Sequence, residues 1–115
     1  AITRRGRQQE ETTRLTFGEL AIDRDSRQIT VGGQPRRLTS HQFELLWALA
    51  KGAGRVLSRD QLMQAISGHE LSAFDRSVDV HISRIRQAIE VDAKKPQRIV
   101  TVRGVGYVFT RLEDE

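Results

Sequence analysis

Asp75-Arg76-Ser77-Val78-Asp79-Val80-His81-Ile82-Ser83-Arg84-Ile85-Arg86-Gln87-Ala88-Ile89 reads as one helix. Val78, Ile82, Ile85 and Ile89 recur at spacings of four, three and four, so they share one stripe. At about 100° per residue, Arg76, Val80, Ser83, Arg84 and Gln87 cluster on the opposite side, with Ser77 and His81 at its flanks. Val80 is the odd member, an apolar β-branched residue among polar and basic neighbours. A solvent-facing helix gains nothing from it. A helix lying in a DNA major groove does, because an apolar side chain can sit against a thymine methyl while arginines take guanine edges and phosphates.

Two helical segments precede this one. Thr39-Ser40-His41-Gln42 opens the first, with Thr39 and Gln42 at capping-box spacing. Phe43, Leu45, Leu46, Trp47, Leu49 and Ala50 then cover a wide arc that must be buried on two sides, and Gly52-Ala53-Gly54 ends the helix. Trp47 is expected in the core. Arg55-Val56-Leu57 is short and extended. Ser58 and Gln61 repeat the capping-box pattern at the start of a second helix, whose apolar face is Leu62, Met63 and Ile66.

The flanks are strand territory. Leu15 to Leu38 holds short alternating runs broken by Asp23-Arg24-Asp25-Ser26 and Gly32-Gly33-Gln34. Gly32-Gly33 suits a tight hairpin because both residues tolerate positive φ. A small antiparallel meander of three or four strands is expected. Asp23 and Asp25 lack partners for a metal site, and a turn with local backbone hydrogen bonds explains them better. After Ile89 comes the polar loop Glu90 to Pro96. Gln97 to Val102 and Tyr107-Val108-Phe109 then read as two strands joined by Arg103-Gly104-Val105-Gly106.

Length and composition bound the rest. The chain has 115 residues, one domain's worth, with 37% hydrophobic and 30% charged residues. Its net charge of +4 biases it toward polyanions, although charge also serves solubility. There is no cysteine, which excludes disulfides, cysteine-based zinc sites and cysteine nucleophiles. No apolar run approaches the roughly 18 residues that span a membrane. Ala1 to Arg14 is polar, without a leader's apolar segment, and the plain expectation is a cytoplasmic module. No nucleophile–base pair, metal cluster or phosphate loop can be assembled, so no enzyme, metal or cofactor is expected.

Two helices followed by a third with a polar basic face is helix-turn-helix order, and the hairpin after it makes a winged helix. The expected fold is therefore α+β: a winged helix-turn-helix with an N-terminal antiparallel β-sheet, three helices and a C-terminal β-hairpin wing. Residues 1–14 are expected to be a linker or arm, 15–112 the winged-helix domain and 113–115 a tail. The recognition helix is placed at about 73–90 and the wing at about 98–109.

Four motifs carry a resemblance that covers roughly Leu15 to Phe109: Leu38 to Leu46, Val56 to Leu62, Asp75 to Ile82, and Thr101-Val102-Arg103-Gly104-Val105-Gly106-Tyr107. In order and spacing they resemble the C-terminal effector domain of OmpR/PhoB-type response regulators, and within that family they look most like its RstA-type members. The resemblance implies sequence-specific binding of double-stranded DNA under a two-component system. A receiver domain elsewhere in the full-length protein would be phosphorylated and drive dimerisation, so that two effector domains occupy direct repeats. The loop at about 68–74 would contact RNA polymerase.

Matching positions carry roles by the same resemblance. Arg76, His81 and Thr101 would touch phosphate or sugar. Ser77, Val80 and Arg84 would face bases, and Arg103 would reach the minor groove from the wing. Ser77 stands where threonine is common, and Ser83 where some relatives have arginine. Arg86 is expected to brace the helix flank by an ion pair with Asp79, and Tyr107 to pack within the hairpin. The alternative is a winged helix used for protein contacts, with Leu71, Phe74 and Val80 as its apolar surface.

Overall fold

The structure, a computed structural model, describes residues 13–66 and 77–110. Four short strands come first: β1 (Arg14–Phe17), β2 (Leu20–Asp23), β3 (Gln28–Val31) and β4 (Gln34–Arg36), paired antiparallel in chain order. The meander has four strands because each turn has its own local chemistry. Asp23 Oδ1 accepts from the Ser26 amide at 3.3 Å, and Gly32 and Gly33 sit at φ 60° and 83° between β3 and β4. The burial alternates as the period-two pattern requires, placing Leu20, Ile22 and Ile29 on the inner face.

Helix α1 (Ser40–Lys51) lies across that face. Thr39 caps it, and the reciprocal bonds between Thr39 and Gln42 close the box that the sequence implies. Leu45, Leu46 and Leu49 are fully buried and Trp47 is 5% exposed, so α1 is the centre of the core. Burying such a side chain contributes about 1.5–3 kcal/mol. Arg27, at φ 59°, reaches from the β2–β3 turn to Glu44 at 2.5 Å and Ser40 at 3.1 Å and docks the sheet on the helix.

Next come β5 (Val56–Ser58), α2 (Arg59–Ala65) and α3 (Val78–Ile89), then β6 (Ile99–Val102) and β7 (Gly106–Phe109). The capping box of Ser58 and Gln61 opens α2 as expected. The segment read only as extended, Arg55-Val56-Leu57, lies largely in β5, which pairs antiparallel with β7, so the hairpin is part of a three-stranded sheet in the order β5-β7-β6. Phe109 of β7 meets Phe17 of β1 with ring centroids 4.7 Å apart, joining the two sheets. The third helix starts at Val78 rather than near 73, with Ser77 as its cap. Residues 1–12, 67–76 and 111–115 fall outside the described residues, and with them Arg76, Leu71, Phe74 and the loop at 68–74.

Candidate nucleic-acid interface

Helix α3 is held from below by the stripe read in the sequence: Val78 is 4% exposed, Ile82 and Ile89 1%, and Ile85 fully buried. Ser83, Arg84 and Gln87 are exposed on the other side, and Val80 is half-buried between the two. Ser77 accepts from the Val80 amide at 3.3 Å. Its hydroxyl hydrogen remains available as a donor, because capping uses only the oxygen's acceptor capacity.

His81 departs from its expected position. Its ring is fully buried, with Nδ1 3.3 Å from Nε2 of Gln42 and an edge-on approach to His41. The expectation of a backbone contact from His81 is corrected on that ground: it lies one position before Ile82, on the inner side of the stripe, and α1 covers it.

The expected pair between Arg86 and Asp79 is corrected as well. Arg86 turns toward the wing, giving Nε and Nη2 to the carbonyl of Ile99 at 3.1 and 2.9 Å and Nη2 to Thr101 Oγ1 at 2.8 Å. Asp79, two turns earlier on the same side of α3, has other partners. Its Oδ1 accepts Nε of Arg59 at 2.9 Å and the hydroxyl of Tyr107. Residues seven apart stand two turns apart on a helix, so each takes a nearer partner from another element. The rings and cations interleave, with Arg59 and Arg86 5.5 and 5.6 Å from the Tyr107 ring centroid.

This network shifts the titrations of its members in consistent directions. The Tyr107 hydroxyl and then the Arg59 guanidinium hold the Asp79 carboxyl below its ordinary value. Burial, followed by the neighbouring carboxylate, pushes the Tyr107 phenol up. The hydrogen bond to Asp79 raises Arg59. The result is a charged brace that binds α2, α3 and β7 together across the neutral range.

A second brace lies at the far end of α3. The Glu90 carboxylate accepts from the backbone amides of Gln97, Arg98 and Ile99 at 2.9–3.1 Å. Arg98 in turn reaches the carbonyl of Phe17 at 2.9 Å. The start of the wing is thus fixed to the end of the helix. At its tip Arg103 is exposed beside Gly104, which sits at φ 75°. Thr101 is exposed on β6, its oxygen occupied by Arg86 and its proton available outward. Among the described residues, Arg84 and Arg103 have neither a hydrogen-bond nor an ion-pair partner.

Of the residues expected to touch DNA, Ser77, Val80, Arg84, Thr101 and Arg103 therefore stand at accessible or half-buried positions on α3 and the wing, and His81 does not. The braces at Asp79, Arg86 and Glu90 were missed. Asp79 in the helix's first turn and the Tyr107 hydroxyl were visible in the sequence as groups needing partners, but no spacing rule pairs residues on different elements.

Comparison with known proteins shows the family and the fold. A family profile described as "Transcriptional regulatory protein, C terminal" matches residues 33–109. The transcriptional regulatory protein RstA of Escherichia coli K12 is 44% identical over 95 residues, which span 83% of this chain and 40% of that protein. The chain thus covers less than half the length of such relatives. The crystal structure of the response regulator DrrB of Thermotoga maritima, an OmpR/PhoB homologue, superposes with a TM-score of 0.78 at 37% identity, covering 95% of this chain and 50% of that one. The DNA-binding domain of Klebsiella pneumoniae RstA, crystallised in complex with the RstA box, superposes with a TM-score of 0.74 at 41% identity, covering 86% and 98%.

Proposed function

The chain belongs to the OmpR/PhoB-type transcriptional regulators as a C-terminal winged-helix domain, and from that premise we propose that it binds double-stranded DNA sequence-specifically as the effector part of a two-component response regulator. Helix α3 enters the major groove and the β6–β7 wing meets the minor groove. Ser77, Val80 and Arg84 face bases. Arg76 and Thr101 hold the backbone, and Arg103 enters the minor groove from the wing tip. Two copies sit on direct repeats, and the receiver domain of the full-length protein controls their pairing. The loop at 68–74 contacts RNA polymerase, and the protein works in the cytoplasm.

One observation carries this reading. Arg84 and Arg103 are exposed cations without partners among the described residues, while the elements that bear them are locked to each other through Arg86 and Tyr107. Two such cations on a rigid frame suit a ligand with charge at fixed spacing. The crystal complex of the K. pneumoniae RstA domain with its box supports a duplex as that ligand.

The test is selection of bound sites from random duplexes, followed by anisotropy titrations. Direct repeats spaced by about 10–11 base pairs are expected. Arg84→Ala should lose discrimination between the selected site and a scrambled duplex by about 1–3 kcal/mol, the usual worth of a bidentate base contact. Arg103→Ala should weaken binding and flatten its salt dependence. If both variants bind every duplex as the parent does, the DNA reading fails.

A further inference from the structure

Beside α3 lies a cleft of about 490 Å³ with an unusual lining. Arg36, the last residue of β4, and Arg37, which follows it, form one wall, and Arg84 and Gln87 of α3 form the other, with Thr39 and Gln42 between them. Among the described residues, no carboxylate lines it. Several arginines of this domain end on an internal acceptor: Arg27 on Glu44, Arg59 on Asp79, Arg86 on Ile99, Arg98 on Phe17. Arg36, Arg37 and Arg84 do not, since none has a hydrogen-bond or ion-pair partner among the described residues. Three like charges converge on one hollow, and no described residue lining it carries a negative charge to offset their repulsion.

The backbone that carries the two new arginines is fixed at both ends. Arg36 is registered opposite Ile29 in the meander. Two residues after Arg37, Thr39 is held by its capping box. The Gln42 amide is already committed, its oxygen to the Thr39 amide and its nitrogen to His81. The charged donors of the cleft are the guanidinium groups, whose planar forks match phosphate oxygens.

We propose that this cleft takes phosphates of the DNA backbone. Arg36 and Arg37 grip the strand bordering the groove that Arg84 reads, as a third foothold apart from the recognition helix and the wing. The proposal rests on the DNA-binding reading above. It also explains why the N-terminal sheet is docked so firmly on α1: that docking positions Arg36 and Arg37 relative to α3.

The test compares the parent chain, the double variant Arg36→Ala/Arg37→Ala, its Arg36→Lys/Arg37→Lys counterpart and Arg84→Ala. Each is titrated with the selected duplex and with a scrambled one across a range of salt. The alanine pair should weaken both duplexes by a similar factor and leave their ratio unchanged. It should lower the slope of log K against log salt by about 0.9 for each phosphate released. The lysine pair should recover most of the slope, because it keeps the charge. Thermal unfolding of both pairs should match the parent, as these side chains are exposed.

An unchanged slope and affinity in the alanine pair, with Arg84→Ala still losing discrimination, overturns the proposal and leaves DNA binding standing. No effect from either change sinks both readings. A further arm exchanges chloride for inorganic phosphate at constant ionic strength. Phosphate competition that disappears in the alanine pair while the salt slope does not change assigns the cleft to a free anion, and the backbone assignment falls.

Discussion

Tyr107 donates its hydroxyl to Asp79, tying the second strand of the wing to the first turn of the recognition helix. The same Asp79 oxygen holds Arg59 from α2 at 2.9 Å. One carboxylate therefore sets the angle between three elements. Tyr107 is 4% exposed, so its hydroxyl has little water to turn to if Asp79 is removed.

Replacing Tyr107 by phenylalanine keeps the ring packing and deletes only the bond. A loss of about 1 kcal/mol is expected in urea unfolding with an unchanged m-value. Asp79→Ala should cost more, since it also strands the tyrosine hydroxyl and releases Arg59. The double variant should cost less than the sum of the two, by about 0.5 kcal/mol or more. Strict additivity would show that the three elements are not coupled through this oxygen.

The brace also sets a pH window. Asp79 is held below its ordinary value by Tyr107 and Arg59. Its contribution is therefore fully present above the unfolded carboxyl's pKa of about 3.9, and it is lost as pH falls through the lower folded value. Tyr107 is pushed above its ordinary value by burial and by Asp79. Its contribution is complete below the unfolded phenol's pKa of about 10 and disappears as pH rises through the folded value. Unfolding free energy followed from acid to alkaline pH should lose part of its fall at both ends in Tyr107→Phe. Parallel curves for parent and variant would contradict the assignment.

Arg86 tests the other link between α3 and the wing. Its guanidinium places two nitrogens on the Ile99 carbonyl and one of them on Thr101 as well. A lysine offers one ammonium and cannot reproduce the fork. Arg86→Lys is expected to recover less than half of the roughly 1–3 kcal/mol lost in Arg86→Ala. Both should lower DNA affinity by freeing Thr101 and the wing. Full recovery by lysine would mean that charge alone matters here.

How much of this was legible in the sequence follows from what each signal measures. Helix faces, caps and glycine turns are local, and they read correctly at Val78 to Ile89, at Thr39 and Ser58, and at Gly32-Gly33. Pairings between elements are not local. Val56 to Ser58 carries no sign that its partner is β7, fifty residues later. Nor does Asp79 indicate that its partners come from α2 and β7. His81 was misjudged because a helical wheel assigns an angle but not the reach of the neighbour that covers it, here Gln42 of α1. In the sequence Arg36 and Arg37 read only as part of a short polar strand run. Their significance appears only when β4 is set beside α3.

Gly106 gives the sharpest steric expectation. A Cβ there would lie 2.0 Å from the Leu57 carbonyl oxygen and 2.8 Å from the Leu57 carbonyl carbon and the Ser58 Cα. These are backbone atoms of β5, registered with β7 through the pairs Leu57 with Tyr107 and Ser58 with Gly106. No rotamer change relieves the clash, so the strands must part. Gly104 offers the natural control, because it sits at φ 75° in the wing turn with nothing within 4 Å of an added Cβ. Gly104→Ala therefore bears only the left-handed backbone penalty, about 1–2 kcal/mol. Gly106→Ala should cost about 3 kcal/mol or more and should also displace Tyr107 from Asp79. Chemical denaturation of the two variants side by side decides it: an equal or smaller loss at Gly106 would mean that β5 does not press on β7 as closely as the structure has it.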